Sequence, residues 1–193
     1  MAEAPTLPKV YLLASDIDSH LFDDTGIPLV ERPDEADCVV LLTIPDEVAE
    51  EPARANWIAP AIAFGLPLHT PSADVQSVVP GGRVVYGFHR TVEHYRSLGG
   101  IVHLHGKPTG TCYETCRTRL GLRGDQRLAA VGDQFDTDVI GAVLNGCSAI
   151  FVETGAAERD RAQMPQQRWA EFLNERCAHA EIPSMTVLPS LRW

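Results

Sequence analysis

The sequence predicts an α/β protein built on a parallel sheet, and three observations carry that expectation. Apolar runs of strand length recur at residues 10–14, 38–42, 66–69, 101–104, 128–131 and 149–152. Between several of them lie segments with helical spacing of apolar residues, closed by glycines at Gly99-Gly100, Gly121 and Gly146. Strands that alternate with helices are joined by right-handed crossovers, which makes the strands parallel neighbours.

Residues 10–14 form the first buried strand. Ser15-Asp16-Ile17-Asp18 and a polar turn at Asp23-Asp24-Thr25-Gly26 follow it. Residues 38–42 make a second strand after the acidic stretch 33–37. Residues 53–64 have helical spacing, with Trp57, Ile58, Ala61 and Ile62 on one side and Pro60 as a weak point or kink. A short strand at 66–69 leads into a loop of small and polar residues. The Gly81-Gly82 turn and a strand at 84–86 then enter a second unit.

From His89 the pattern becomes regular: helix 91–98, strand 101–104, helix 113–120. Residues 128–131 form the strand on which the rest is organised. Gly132 makes the sharp turn that sets the Asp133 carboxylate at the carboxyl end of that strand, where open α/β sheets place their chemistry. Asp136, Thr137 and Asp138 suit the amino end of the next helix, whose apolar face is Val139, Ile140, Ala142, Val143 and Leu144. Upstream, His105-Gly106-Lys107-Pro108 also ends an apolar run, so a lysine and an aspartate on neighbouring strand tips could share an anion and a divalent cation. Asp at a strand end also forms turns, and Asp before a helix also caps it. A strand at 149–152, a helix at 166–177 and a last strand at 185–188 complete the pattern.

Composition narrows the function classes. The chain has 193 residues, 45% apolar and 22% charged, enough for one good-sized domain or two small ones. A formal net charge of -10 without Lys/Arg clusters argues against nucleic-acid and anionic-membrane partners. No run reaches the apolar length of a membrane span, and MAEAPTLPK lacks signal-peptide regions, so cytoplasm is the expected compartment. Five cysteines, an odd number without zinc-type pairs, fit reduced thiols; Cys112 and Cys116 share a helix face but lack a second ligand pair. His103 and His105 alternate along a strand, which is how a metal pair is built, yet no third ligand stands at a telling spacing. The other histidines, His69 among them, are isolated and receive no role. There is no GxGxxG or GxxxxGK sequence for a nucleotide-binding domain.

These residues resemble the haloacid-dehalogenase (HAD) superfamily of phosphohydrolases, in particular its class IIA, NagD-like branch. Gly106-Lys107-Pro108 is similar to the branch's GKP element, and the stretch from Gly132-Asp133 to Thr137-Asp138 to its GDxxxTD element, continued by Gly141-Ala142. Phe151-Val152-Glu153-Thr154-Gly155 resembles the strand and TG that follow, and LPSLRW at 188–193 resembles the end of one subgroup. HTPSAD, His69 to Asp74, stands where relatives carry an ANPD-like segment, and 82–100 looks like the return from cap to core. The resemblance implies a Rossmann-like parallel sheet, a partial HAD core over 83–193, with an α/β cap domain over 9–82. It implies Mg²⁺ held by Asp133, support of that site by Asp138, neutralisation of phosphate by Lys107, and a phosphorylated small molecule as substrate.

The family also needs an aspartate nucleophile, a second aspartate two residues on as acid/base, and a Ser or Thr for the phosphoryl group. Asp16, Asp18 and Thr43 mimic this set, which would make the chain a complete compact phosphatase. Ser19 stands where the family has glycine, however, and residues 10–30 resemble the start of the cap. The preferred expectation is therefore a chain that starts after the nucleophile-bearing part and has little activity alone. Strand 128–131 would then have an open edge, inviting an amino-terminal partner chain or homo-oligomer. A non-catalytic interaction module on the same fold is the third reading.

Overall fold

The computed structural model describes residues 6–44, 48, 51–71, 76–79, 83–86, 88–123 and 126–191. By packing, the chain forms two compact units, Met1–Val75 with Val85–His105 and Gln76–Val84 with Gly106–Trp193. Among the described residues no helix is long and apolar enough to cross a membrane.

The first unit holds strands β1 (Val10–Leu13), β2 (Leu29–Val30), β3 (Cys38–Leu41), β4 (Leu68–Thr70) and β7 (Val102–Leu104). They form one sheet in the order β2-β1-β3-β4-β7, parallel throughout. Helices α1 (Asp16–Ser19), α2 (Ile58–Ala63) and α3 (His89–Ser97) accompany it. Val39, Leu41 and Leu68 point to one face and are wholly buried with Ile58, Ala61 and Tyr95. Tyr95 stacks on Trp57 and satisfies its buried hydroxyl by donating to Leu66 O at 2.6 Å. The helix expected at 53–64 is shorter: a 3₁₀ turn at Pro52–Arg54 precedes α2, and Pro60 falls in the first turn of α2. There its missing N–H would have had no intrahelical partner anyway, so it starts the helix and does not kink it.

The second unit holds β8 (Ala129–Gly132), β9 (Ser148–Val152) and β10 (Thr186–Leu188), a parallel sheet in the order β10-β9-β8. Its helices are α4 (Gly110–Arg119), α5 (Ile140–Leu144), α6 (Ala156–Ala162) and α7 (Gln166–His179), with a π-helical turn at Phe135–Val139 leading into α5. Phe151 of β9, 2% exposed, meets Phe135 edge-on and lies against Trp169 of α7; Val139 and Ala142 close the same core. Two further strands, β5 (Gln76–Val79) and β6 (Arg83–Tyr86), pair with each other.

One expectation is corrected. Lys107 and Asp133 were expected on neighbouring strand tips; among the described residues β7, ahead of Lys107, pairs with β4, and β8, ahead of Asp133, pairs with β9. Apolar length identifies a strand but carries no information about which strand lies beside it. Among the described residues β8 ends its sheet, with Val131 47% exposed. The elements β2, α1, β5 and α6 were not expected. The Gly81-Gly82 turn, Ser72-Ala73-Asp74 and the terminal Arg192-Trp193 lie outside the described residues.

Candidate functional site

The carboxyl ends of β8 and β9 gather the polar groups of the second unit. Asp133 leaves the tip of β8, and its Oδ2 accepts from the backbone N–H of Ala156, the first residue of α6, at 2.6 Å. Gly155 precedes that residue with φ 72°, and a Cβ on it would lie 2.0 Å from Asp133 Oδ2. The contact therefore exists only because residue 155 has no side chain.

Asp138 sits in the π-helical turn and is 5% exposed. Its Oδ1 pairs with Lys107 Nζ at 2.5 Å, and its Oδ2 accepts from the backbone N–H of Gln134 at 2.9 Å. A buried carboxylate is tolerable only when paired and hydrogen-bonded, and here both oxygens are engaged. Gly132 makes the room, since a Cβ there would lie 2.1 Å from Asp138 Cγ.

The Lys107 side chain is about half exposed, against 6% for Asp138, so the pair hides the carboxylate. The loop that carries it is clamped from α5: Asn145 Nδ2 donates to Pro108 O at 3.2 Å and to Gly141 O at 2.8 Å. Arg117 of α4 in turn donates to Asn145 O at 3.0 Å. Nothing in the sequence pattern singled out Asn145; the only signal was an amide residue at a helix end.

Asp136 is not part of this group. It is exposed and ion-paired with Arg176 of α7, whose guanidinium also lies 4.4 Å from the centre of the Phe135 ring. The hydroxyls of Thr137 and Tyr113 are buried without a hydrogen-bond partner among the described residues. Burial, then the nearby Cys112 and Asp138, pushes the Tyr113 phenol up to about 12. That hydroxyl stays protonated and unsatisfied, which costs stability. Tyr113→Phe is expected to leave stability unchanged or raise it by up to about 2 kcal/mol, read as a shift in the urea midpoint; a clear loss would show that the hydroxyl has a partner.

Asp18 and Thr43 do meet, in the first unit, at the carboxyl ends of β1 and β3. Thr43 Oγ1 donates to Asp18 Oδ2 at 2.5 Å and Ser15 Oγ to the same oxygen at 2.7 Å, while the Asp18 N–H donates back to Ser15 Oγ. This is a reciprocal cap on α1 with a threonine added. The Thr43 bond first, then the Ser15 bond, holds the Asp18 carboxyl below its ordinary range. A carboxyl held ionised is a poor proton donor, which suits a structural cap better than a general acid. Asp16 is exposed in the first turn of α1. Lys107, Asp133 and Asp138 belong to the second unit.

The donor chemistry of the second unit is hard oxygen: Asp133 has one carboxylate oxygen held by Ala156 N–H and a second oxygen beside it. Mg²⁺ takes one or two protein carboxylates and completes its shell with water and substrate oxygens, so this donor set fits it. Among the described residues no three His, Cys, Asp or Glu side chains are grouped to hold a metal ion by themselves.

Residues 104–175 match the family pattern described as HAD-hydrolase-like. No curated protein matches the sequence. In structure the chain is similar to a haloacid-dehalogenase-like hydrolase from Brucella suis, at 25% identity and TM-score 0.65, over 80% of this chain and 58% of that one. It is similar to p-nitrophenyl phosphatase from Archaeoglobus fulgidus, at 22% identity and TM-score 0.65, over 95% of this chain and 64% of that one. Glycerol phosphate phosphatase from Mycobacterium tuberculosis, in complex with magnesium, is similar at 23% identity and TM-score 0.59, over 80% of this chain and 45% of that one. The chain thus spans under two thirds of the length of each of these three proteins.

Proposed function

We propose that the chain, similar over residues 104–175 to haloacid-dehalogenase-like hydrolases, supplies from its second unit the cation- and phosphate-binding groups of a phosphate-monoester hydrolase, and from its first unit the cap. The observation that carries this reading is the Lys107–Asp138 pair, a half-exposed lysine held by a hidden carboxylate whose other oxygen accepts from the Gln134 N–H, one residue past Asp133. In this reading Asp133 is the ligand for Mg²⁺, which when bound neutralises charge on the transferring phosphoryl oxygens. Lys107 neutralises the phosphate from the other side, and Asp138 fixes the Lys107 ammonium. The substrate is a phosphorylated small molecule. The family's attacking carboxylate is not assigned to any residue here, and turnover by this chain alone is expected to be low. A partner chain or a second copy at the β8 edge, and a cytoplasmic setting, go with this reading.

Ligand binding tests it without requiring turnover. Calorimetric titration with MgCl₂ and with inorganic phosphate is expected to show saturable binding of both. Asp133→Asn should remove the Mg²⁺ signal, and Lys107→Ala should weaken phosphate about tenfold or more, the worth of one charge-assisted hydrogen bond, while leaving Mg²⁺ binding intact. Binding that neither substitution changes, or no binding at all, overturns the proposal; the second outcome favours a non-catalytic module.

A further inference from the structure

Three imidazoles that the site does not use gather on one face of the five-stranded sheet. The parallel register sets His69 of β4 opposite His103 of β7, and His105, two residues further on, returns to the same face. His69 Nδ1 lies 2.8 Å from His105 Nε2, with the two rings 12° from coplanar. His103 stacks on His69 at 4.7 Å between centroids, so it presents its face, and not a nitrogen, to its neighbour. Among the described residues no three ligands gather here to hold a metal ion, and the pair's own chemistry lies in its protons.

A nitrogen-to-nitrogen hydrogen bond needs one N–H and one lone pair. The His69–His105 pair keeps that bond when neutral or singly protonated, and loses it when both rings are cationic, because two N–H groups then face each other. His103, stacked against the same ring, disfavours a proton on His69. Burial first, then His103 and His105, holds the His69 imidazole below its ordinary pKa, and among the described residues no carboxylate acts on it. On the other side β3 brings the apolar Val40 into register with His69. The sign follows: a histidine with a depressed pKa contributes stability that is complete above its ordinary value of 6.5 and is lost as pH falls through the lowered folded value.

We propose that His69 and His105, with His103 stacked beside them, form a proton-operated clasp between β4 and β7, closed while the His69–His105 pair carries at most one proton and released when it takes up a second. Its position gives it a consequence. His105 is the last residue of the first unit, β7 is the end strand of its sheet, and the His105 backbone N–H donates to Thr70 O at 3.0 Å. Release frees the end of β7 at the point where the chain passes into the second unit.

Amide hydrogen exchange on the intact chain tests this independently of any phosphatase activity. The protection of the His105 N–H, corrected for intrinsic exchange, is expected to fall about tenfold or more between about pH 7.5 and about pH 5, while Val39 in the sheet centre stays protected. His69→Phe keeps the stack on His103 but offers no nitrogen to His105, so protection should be low at both pH values. His103→Phe keeps the pair and removes a group that repels its second proton, so the transition should move to higher pH. Equal protection of His105 at both pH values in the wild type, or an unchanged response in His69→Phe with Val39 still protected, overturns the clasp.

Discussion

Gly132→Ala is expected to destabilise the second unit by about 3–5 kcal/mol, at the upper end of single substitutions. The new Cβ would lie 2.1 Å from both Cγ and Oδ2 of Asp138 and 2.6 Å from its Cβ. No rotation of an alanine methyl relieves contacts of that length, so the Asp138 side chain or the β8 tip must move. Asp138 is 5% exposed and holds two partners, Lys107 Nζ and the Gln134 N–H. Moving it strands a buried carboxylate and an amide together, and hydrogen bonds to charged groups are worth about 1.5–3 kcal/mol each. Some of the loss is returned in the unfolded chain, where alanine has less entropy to lose than glycine, by about 0.4–1 kcal/mol. Urea denaturation checks the size of the effect. The cause is checked in an Asp138→Ala background, where two of the three contacts no longer exist and Gly132→Ala should cost much less. Equal cost in both backgrounds would place the strain in the backbone and not in the carboxylate.

The same geometry shows what could be read from the sequence and what could not. The apolar runs at 128–131 and 149–152 appear as β8 and β9 within one residue at most ends, because parallel strands covered by helices are apolar along their whole length. Gly99, Gly121 and Gly146 were expected as helix ends and all have positive φ. The Asp133 and Lys107 loops were legible because glycine, charge and strand end coincide. Their partners were not. That Lys107 reaches Asp138 depends on a π-helical turn that adds a residue between Gln134 and Val139, and no periodicity in five residues announces such a turn. His69 was judged isolated because the sequence separates it from His103 by a helix and two turns, while the sheet register places them side by side. Pairing between strands is a long-range property, and a pattern within one strand does not encode it. The same limit explains why β7 was expected beside β8.

Gly155→Ala is expected to be as costly as Gly132→Ala and to act on the other carboxylate. Gly155 has φ 72° and ψ -128°, a region in which side-chain-bearing residues cost about 1–3 kcal/mol by backbone strain alone. Its Cβ would also lie 2.0 Å from Asp133 Oδ2, the oxygen that accepts from the Ala156 N–H at the start of α6. Losing that charge-assisted bond adds about 1.5–3 kcal/mol, for a total of about 3–5 kcal/mol by denaturation. The two contributions separate in an Asp133→Ala background, which removes Oδ2 and Cγ but leaves the backbone as it was. There Gly155→Ala should cost only the strain, about 1–3 kcal/mol, and the difference measures the coupling between residues 133 and 155. Calorimetry with MgCl₂ adds an arm that stability does not: if Asp133 is the Mg²⁺ ligand, Gly155→Ala should weaken Mg²⁺ even under conditions where the variant is fully folded, because the carboxylate has been pushed off its anchor. Unchanged Mg²⁺ affinity in a folded Gly155→Ala protein would separate Asp133 from the cation altogether. The reason to expect otherwise is shared by both glycines: each carboxylate of the site occupies space that a side chain on the neighbouring turn would have filled, so the absence of two Cβ atoms is as much a part of the site as the charges are.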